Sequence, residues 1–226
     1  FVLIPLLTNA FAEQRFERMN RYADATLKIT MTISVAAGAG LMNLLPLMNR
    51  VFFKNDVLTA TLVIYMLTVI CVSLIMVNIA LLEVRRQSRL ILIAFGLGAV
   101  IKLIMNFVLI PNIGIIGASV STVLSLCLFA FILQWRTLQF YRLRHMRNFV
   151  SKLLVTVVTM TAAVQLIMGM TPTEGRLTGM VELLLAALVG VAVVIIAIAT
   201  LNLLTYRELQ HMPFGDKLYR LKKGRK

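Results

Sequence analysis

Apolar residues in this chain occur in long blocks, and short basic stretches separate the blocks. A helix needs about 20 apolar residues to cross the hydrocarbon core of a bilayer. Blocks of this length are too long for barrel strands, and a single helix satisfies its own backbone hydrogen bonds in lipid. The pattern therefore predicts an all-α membrane protein, a multi-spanning helical bundle. The six predicted spans are 27–49, 58–82, 90–111, 115–135, 149–170 and 179–204.

The composition agrees with this pattern, since 60% of the 226 residues are hydrophobic and the mean hydropathy is +0.90. Soluble domains are usually about half apolar. The opening stretch 1–12 is apolar but covers only about half a span, and it lacks the basic start and cleavage site of a signal peptide. Because the first residue is Phe1, we expect the sequence to be the C-terminal part of a longer protein.

The net charge of +14 arises from basic residues that flank the spans. This distribution argues against nucleic acid as a partner and is typical of contacts with anionic lipid at the cytoplasmic face. Alternate connections hold 19 and 3 of the 23 Lys and Arg residues, and Lys102 remains within a span. The asymmetry predicts a multi-pass protein of the bacterial cytoplasmic membrane with a cytoplasmic C-terminus. The connections predicted to be cytoplasmic are 13–28, 83–89, 134–152 and the basic tail 205–226.

The connector 136–148 mixes basic residues with Leu138, Phe140, Tyr141 and Leu143. It could lie on the cytoplasmic interface with its apolar side chains inward, or it could be a solvated linker. The sequence does not separate these two interpretations.

Motifs for catalysis or metal binding are absent from the sequence. His145 and His211 are far apart, and Cys71 and Cys127 both fall inside apolar spans without metal-ligand spacing. An active-site enzyme is therefore hard to build from this sequence, and we expect no catalytic residue, metal site or cofactor. If the protein is a transporter, a coupling ion or the membrane potential could drive it.

Lys102 is the most informative polar residue because it lies near the middle of the span 90–111. A central lysine costs about 2.5–3.5 kcal/mol on insertion scales, so intramembrane charges usually serve function. We favour a cation that lines a hydrophilic cavity over a structural pair with a distant carboxylate. Asn106 follows at i+4 on the same face, where it either extends a polar stripe or makes an interhelical hydrogen bond. Asn78 is a weaker cavity candidate.

Asn43 lies in the first span and is a further cavity candidate, with Gly38 and Gly40 before it and Pro46 after it. This combination can allow a helix to bend during transport. Small residues also allow close helix packing. Both interpretations stay open.

The segment 78–126 resembles the polysaccharide-type flippases of the multidrug/oligosaccharidyl-lipid/polysaccharide superfamily. The matching patterns are K-L-x-x-N-x-x-L-I-P and then G-I-x-G-A-x-x-S-T. Within them Pro111 would end one span, Gly114 would allow a very short turn, and Gly117 would allow close packing of the next helix. The ending T-x-x-E-L-x-x-x-P-x-G-x-K-L within 205–226 is similar to the branch that contains lipid II flippases and spore-cortex proteins.

The resemblance implies a fourteen-helix protein of which 1–135 is the end of the second lobe, comprising the end of helix 8 and helices 9–12. The segment 149–204 would then be the final two helices, which contribute to a groove for the lipid tail. The implied activity is the flipping of undecaprenyl-linked glycans, with lipid II as the leading substrate and cell-wall synthesis proteins as partners. Lys102 would contact the diphosphate or supply a counter-charge. Alternatives are a capsule or O-unit translocase, a drug/cation antiporter of the same superfamily, and a non-transporting envelope scaffold.

Overall fold

The computed structural model describes residues 15–53, 58–141, 146–170 and 176–200. Within these ranges the regular structure is entirely helical. The six helices are α1 (Phe16–Phe53), α2 (Thr59–Val84), α3 (Ser88–Ile113), α4 (Ile115–Phe140), α5 (Met146–Met170) and α6 (Arg176–Thr200). All six are long and apolar enough to cross a membrane. The predicted fold class and the six predicted spans are thereby confirmed, the last span as far as Thr200.

Two predicted connections are shorter than expected. Helix α1 begins at Phe16, so most of the basic stretch 13–28 is helical rather than a loop. An ion pair between Lys28 and Asp24, 2.6 Å apart and one turn from each other, stabilises this part of the helix. Helix α4 likewise continues to Phe140, and α5 begins at Met146, so much of the predicted connector 136–148 belongs to these two helices.

The connection between α3 and α4 is a single residue, Gly114. Its φ of 62° and ψ of −143° lie in a region open almost only to glycine. The prediction that Pro111 ends the span is wrong, because α3 continues to Ile113. A proline lacks the N–H donor of its own position, and its ring crowds the carbonyl one turn earlier, but the residues after it can stay helical, and here the Gly114 N–H bonds to the Ile110 carbonyl at 2.9 Å. The predicted short turn and its glycine are therefore confirmed, while the helix end lies beyond the proline.

The chain divides into two compact units. The first comprises 1–34 and 64–144 and thus holds the start of α1, most of α2, and both α3 and α4. The second comprises 35–63 and 145–226 and holds the rest of α1 with α5 and α6. The lobe boundaries 1–135 and 149–204 concern a larger assembly and stay predictions.

In the first unit α2 and α4 are parallel, and the contacts between them recur every seven residues. Three contacting pairs share one offset in residue number along the two helices. They are Cys71 with Cys127, whose sulfurs are 3.1 Å apart, Asn78 with Gln134, hydrogen-bonded at 2.9 Å, and Arg85 with Tyr141, stacked at 5.3 Å. A constant heptad offset is the register of parallel coiled-coil packing. Apolar residues of α2, α3 and α4, including Leu82, Ala94 and Leu133, form the core around this seam.

Tyr141 closes the end of this seam. Its side chain is buried, and its hydroxyl donates a hydrogen bond to the Leu81 carbonyl at 2.9 Å. Burial raises the pKa of the Tyr141 phenol, with an opposing effect of the Arg85 charge. The Arg85 guanidinium also bonds to the Phe140 carbonyl at 3.3 Å. These contacts join the ends of α2 and α4 on the side predicted to be cytoplasmic.

In the second unit, Leu44 of α1, Val164 of α5 and Ala186 of α6 form the centre of a small apolar cluster. A β-carbon on Gly179 would lie 2.7 Å from a methyl group of Val51, so this glycine allows α6 to approach α1 closely. Within this unit the helices thus pack through small residues, as is common for helices in lipid.

Candidate functional site

The hairpin of α3 and α4 has an antiparallel register that two contacts define. Asn106 accepts a hydrogen bond from the Ser121 hydroxyl, and Gly98 lies against Phe129. The number of residues between the two contacts is the same on α3 as on α4, so both contacts belong to one register. Lys102 lies halfway between Gly98 and Asn106, and the register therefore places it opposite Ser125. Lys102 therefore lies on the line of contact between α3 and α4, which we call the seam of the hairpin.

Lys102 lines a recess of about 340 Å³ in the first unit. The other polar side chains around the recess are Tyr65 of α2 and Thr122 and Ser125 of α4. Lys102 borders this recess, whose walls also include the apolar residues Phe95, Leu126 and Phe129, and its contact with an anionic substrate stays a prediction. Small side chains leave the space open, because Ser125 faces the lysine where a larger residue would close the seam.

The polar groups around the recess differ in whether their protons are available to a bound anion. The Thr122 hydroxyl donates to the Ala118 carbonyl at 2.8 Å, and the Ser125 hydroxyl donates to the Thr122 carbonyl at 2.9 Å. Both hydroxyl protons are thus engaged by the backbone of α4. The Lys102 ammonium group has no carboxylate partner in the described part of the chain, and the Tyr65 hydroxyl has no hydrogen-bond partner there. These two groups are therefore the donors that a bound anion would meet.

The other predicted polar candidates do not join this recess. Asn106 makes the interhelical hydrogen bond to Ser121, which is one of its two predicted roles. Asn78 is fully buried on the α2–α4 seam, where its amide donates to Gln134 at 2.9 Å and to the Leu74 carbonyl at 2.8 Å.

The Asn78 Oδ1 atom has no partner among the described atoms. The amide of this residue bonds across to α4, so Asn78 serves the packing of α2 on α4 rather than the lining of the recess.

Asn43 belongs to the second unit, where its amide donates to Thr161 of α5 at 3.1 Å and to the Ala39 carbonyl at 2.8 Å. A β-carbon on Gly40 would meet the Met160 side chain at 3.7 Å, an ordinary contact. Gly38 is buried, and Pro46 lies inside α1, which remains helical on both sides of it. The contacts of this region are those of close helix packing, and bending at Pro46 stays a prediction.

The described residues contain no group of three or more His, Cys, Asp or Glu that could hold a metal ion. His145 and His211 lie outside the described residues.

Sequence reasoning missed Tyr65 as a member of the recess. The only signal was a tyrosine within an apolar span, and such a residue is usually an interfacial anchor. Its role depends on the packing of α2 beside the α3–α4 hairpin, which no local pattern reveals.

Comparison with known proteins agrees with the membrane assignment. No protein-family model matches the chain. The chain is 27% identical over 227 residues to an uncharacterized membrane protein, YabM, of Bacillus subtilis (strain 168). The match covers 99% of this chain and 43% of the relative, so the chain spans less than half the length of the curated relative it matches. The six apolar helices and this similarity together define a multi-pass helical membrane protein.

Proposed function

We propose that this chain is part of a flippase that moves undecaprenyl-diphosphate-linked glycans across the bacterial cytoplasmic membrane by alternating access. Lipid II is the leading substrate. The observation that carries the proposal is the Lys102 recess, an intramembrane cation beside an open cavity with no carboxylate partner in the described residues. A substrate diphosphate would supply the missing negative charge, and Tyr65 would add a neutral donor.

The sequence motifs give the proposal its family. The Gly114 turn and the close approach at Gly117 are structural counterparts of the pattern that resembles polysaccharide-type flippases. The similarity to YabM supports only the membrane class, since that relative is itself described as uncharacterized.

A test uses the full-length protein in cells depleted of the native copy. Lys102→Gln removes the charge, and we expect it to lower the rate at which lipid II reaches the outer leaflet by about tenfold or more, as for loss of a charge-assisted hydrogen bond. Lys102→Arg should retain most of the transport. Arg89→Gln is the matched control, because it removes a positive charge from the first turn of α3, outside the recess.

The measurement is the fraction of lipid II that an external lipid II-degrading enzyme reaches in spheroplasts, with protein abundance followed by immunoblot. Unchanged exposure of lipid II in Lys102→Gln cells would refute the role of the recess. Accumulation of a capsule or O-unit precursor on depletion, with normal lipid II exposure, would instead favour the translocase alternative.

The proposed orientation has the C-terminus in the cytoplasm and the Gly114 turn outside. Single cysteines introduced at positions 54 and 174 should react with an impermeant maleimide in intact cells, and those at 87 and 145 only after permeabilisation. The opposite labelling pattern would overturn this orientation.

A further inference from the structure

A second cavity, of about 470 Å³, adjoins the Lys102 recess in the first unit. It runs along α2 and α3, and its walls are almost entirely aliphatic and aromatic, with Val72, Met76 and Leu92 among them. We name this cavity the apolar groove. Its polar members are Glu83 and Ser88, at the end where α2 stops and α3 starts.

The groove and the recess share one wall. Phe95, Leu126 and Phe129 line both cavities. The rings of Phe95 and Phe129 meet edge to face, with their centres 5.9 Å apart. The recess, which holds the Lys102 cation among mixed polar and apolar side chains, therefore adjoins the apolar groove, and the Phe95–Phe129 pair lines both cavities.

We propose that the apolar groove holds the first part of the prenyl chain of a lipid diphosphate whose diphosphate group binds at Lys102. This inference rests on the proposed function and adds to it the position of the lipid tail. It places the tail along α2, α3 and α4, whereas the resemblance implies a groove formed by the final helix pair.

The lining residues favour one direction of binding for such a lipid. Among the residues that line the two cavities, Lys102 in the recess is basic and Glu83 at the far end of the groove is acidic. The diphosphate is therefore assigned to the recess and the chain to the groove, whose walls are apolar apart from Glu83 and Ser88. From Ser88 to Phe95 the groove follows about 10 Å of helix α3, which accommodates the first segment of a long chain while the remainder lies in the bilayer.

The affinity for the chain would come from packing. Lipid tails are as apolar as the groove, so the hydrophobic effect gives little preference for protein over bilayer. Shape complementarity to Val72, Met76 and the Phe95 ring is then the source of selectivity, and a bulky side chain in the groove should remove it.

The experiment titrates farnesyl diphosphate and inorganic diphosphate into the purified full-length protein in detergent, by calorimetry. Val72→Trp fills the groove from a position that is 38% exposed. We expect it to weaken farnesyl diphosphate binding about fivefold or more, as overpacking does, and to leave inorganic diphosphate binding unchanged. Lys102→Gln should weaken the binding of both probes. The matched control is Val158→Trp, on an exposed face of α5 in the second unit.

Met76→Trp replaces Val72→Trp if the latter does not fold. Farnesyl diphosphate binding that stays at the wild-type level in the groove variant, with Lys102→Gln weakening both probes, would overturn the tail position and leave the proposed function intact. The tail position is equally overturned if the wild-type protein binds inorganic diphosphate as tightly as farnesyl diphosphate. If Lys102→Gln changes neither affinity, the anion site fails, and the proposed function falls with this inference.

Discussion

Gly117→Ala tests how closely α3 and α4 approach each other. A β-carbon at this position would lie 2.6 Å from both the carbonyl carbon and the carbonyl oxygen of Leu109, and 3.0 Å from the nitrogen of Ile110. All three atoms belong to the backbone of α3, so no side-chain rotation can relieve the contact. The two helices must move apart around the Gly114 turn.

Two effects of opposite sign set the magnitude. Overpacking of a close contact costs about 1–3 kcal/mol. Replacing glycine by alanine inside a helix gains about 0.5–1 kcal/mol. The overpacking term is the larger because backbone atoms cannot yield, and we expect the free energy of unfolding to fall by about 1–2 kcal/mol.

Gly96→Ala is the matched control on the same hairpin. Apart from the local backbone of α3 and the adjoining residues, no atom of the described part of the chain lies within 4 Å of a β-carbon built at Gly96, so only the gain in helix stability remains. Thermal unfolding of the full-length protein in detergent, followed with a thiol-reactive dye that reports exposure of the buried Cys71, compares the variants. A rise in the unfolding temperature of both variants would refute the close contact at Gly117.

Three further predictions concern the helix ends and the α2–α4 seam. Gly114→Ala should lower stability by about 1–3 kcal/mol in the same thermal assay, although it meets no neighbour, because its backbone conformation is open almost only to glycine. Arg86 has a φ of 56°, so Arg86→Gly should stabilise the end of α2 by about 1 kcal/mol. Arg86→Ala removes the same charge but keeps the backbone strain, so it should not stabilise the protein. Equal unfolding temperatures of the two variants would contradict the argument. Copper-phenanthroline should oxidise Cys71 and Cys127 to a disulfide detectable by peptide mass spectrometry, since their sulfurs are 3.1 Å apart; recovery of only unlinked peptides would contradict the α2–α4 register.

The helical spans could be predicted because lipid imposes a simple rule on the backbone. A segment such as 90–111 has no stable alternative to a helix in hydrocarbon, and the structure confirms it within α3. The ends are harder to predict, because they depend on which residue closes the last turn. The motif predicts an end at Pro111, yet Gly114 is the residue whose conformation turns the chain.

The site could be predicted only in part. Lys102 stands out in sequence because a charge in a span has a high cost, whereas Tyr65 does not stand out at all. Asn78 and Asn106 share the polarity of Lys102, but their hydrogen bonds to Gln134 and Ser121 show that each satisfies a neighbouring helix. A single sequence gives the polarity of a residue and not its partner, and the partner separates packing residues from cavity residues.

The register of the α3–α4 hairpin explains why a lysine can occupy the middle of α3. The rest of this helix is strongly apolar and exposed, as Phe107 at 81% illustrates, and a lysine on that face would stand in lipid. Asn106 and Ser121 fix the seam on one side of Lys102 and Gly98 fixes it on the other, so the lysine lies on the face of α3 that meets α4, where its side chain lines the recess and stays partly exposed. There Ser125 leaves room for the side chain, and the Thr122 and Ser125 hydroxyl oxygens retain lone pairs for a cation. The Thr122 and Ser125 hydroxyl groups thus reduce the cost of a central lysine, which is about 2.5–3.5 kcal/mol. They carry no negative charge, so the charge of Lys102 remains available to an anionic ligand.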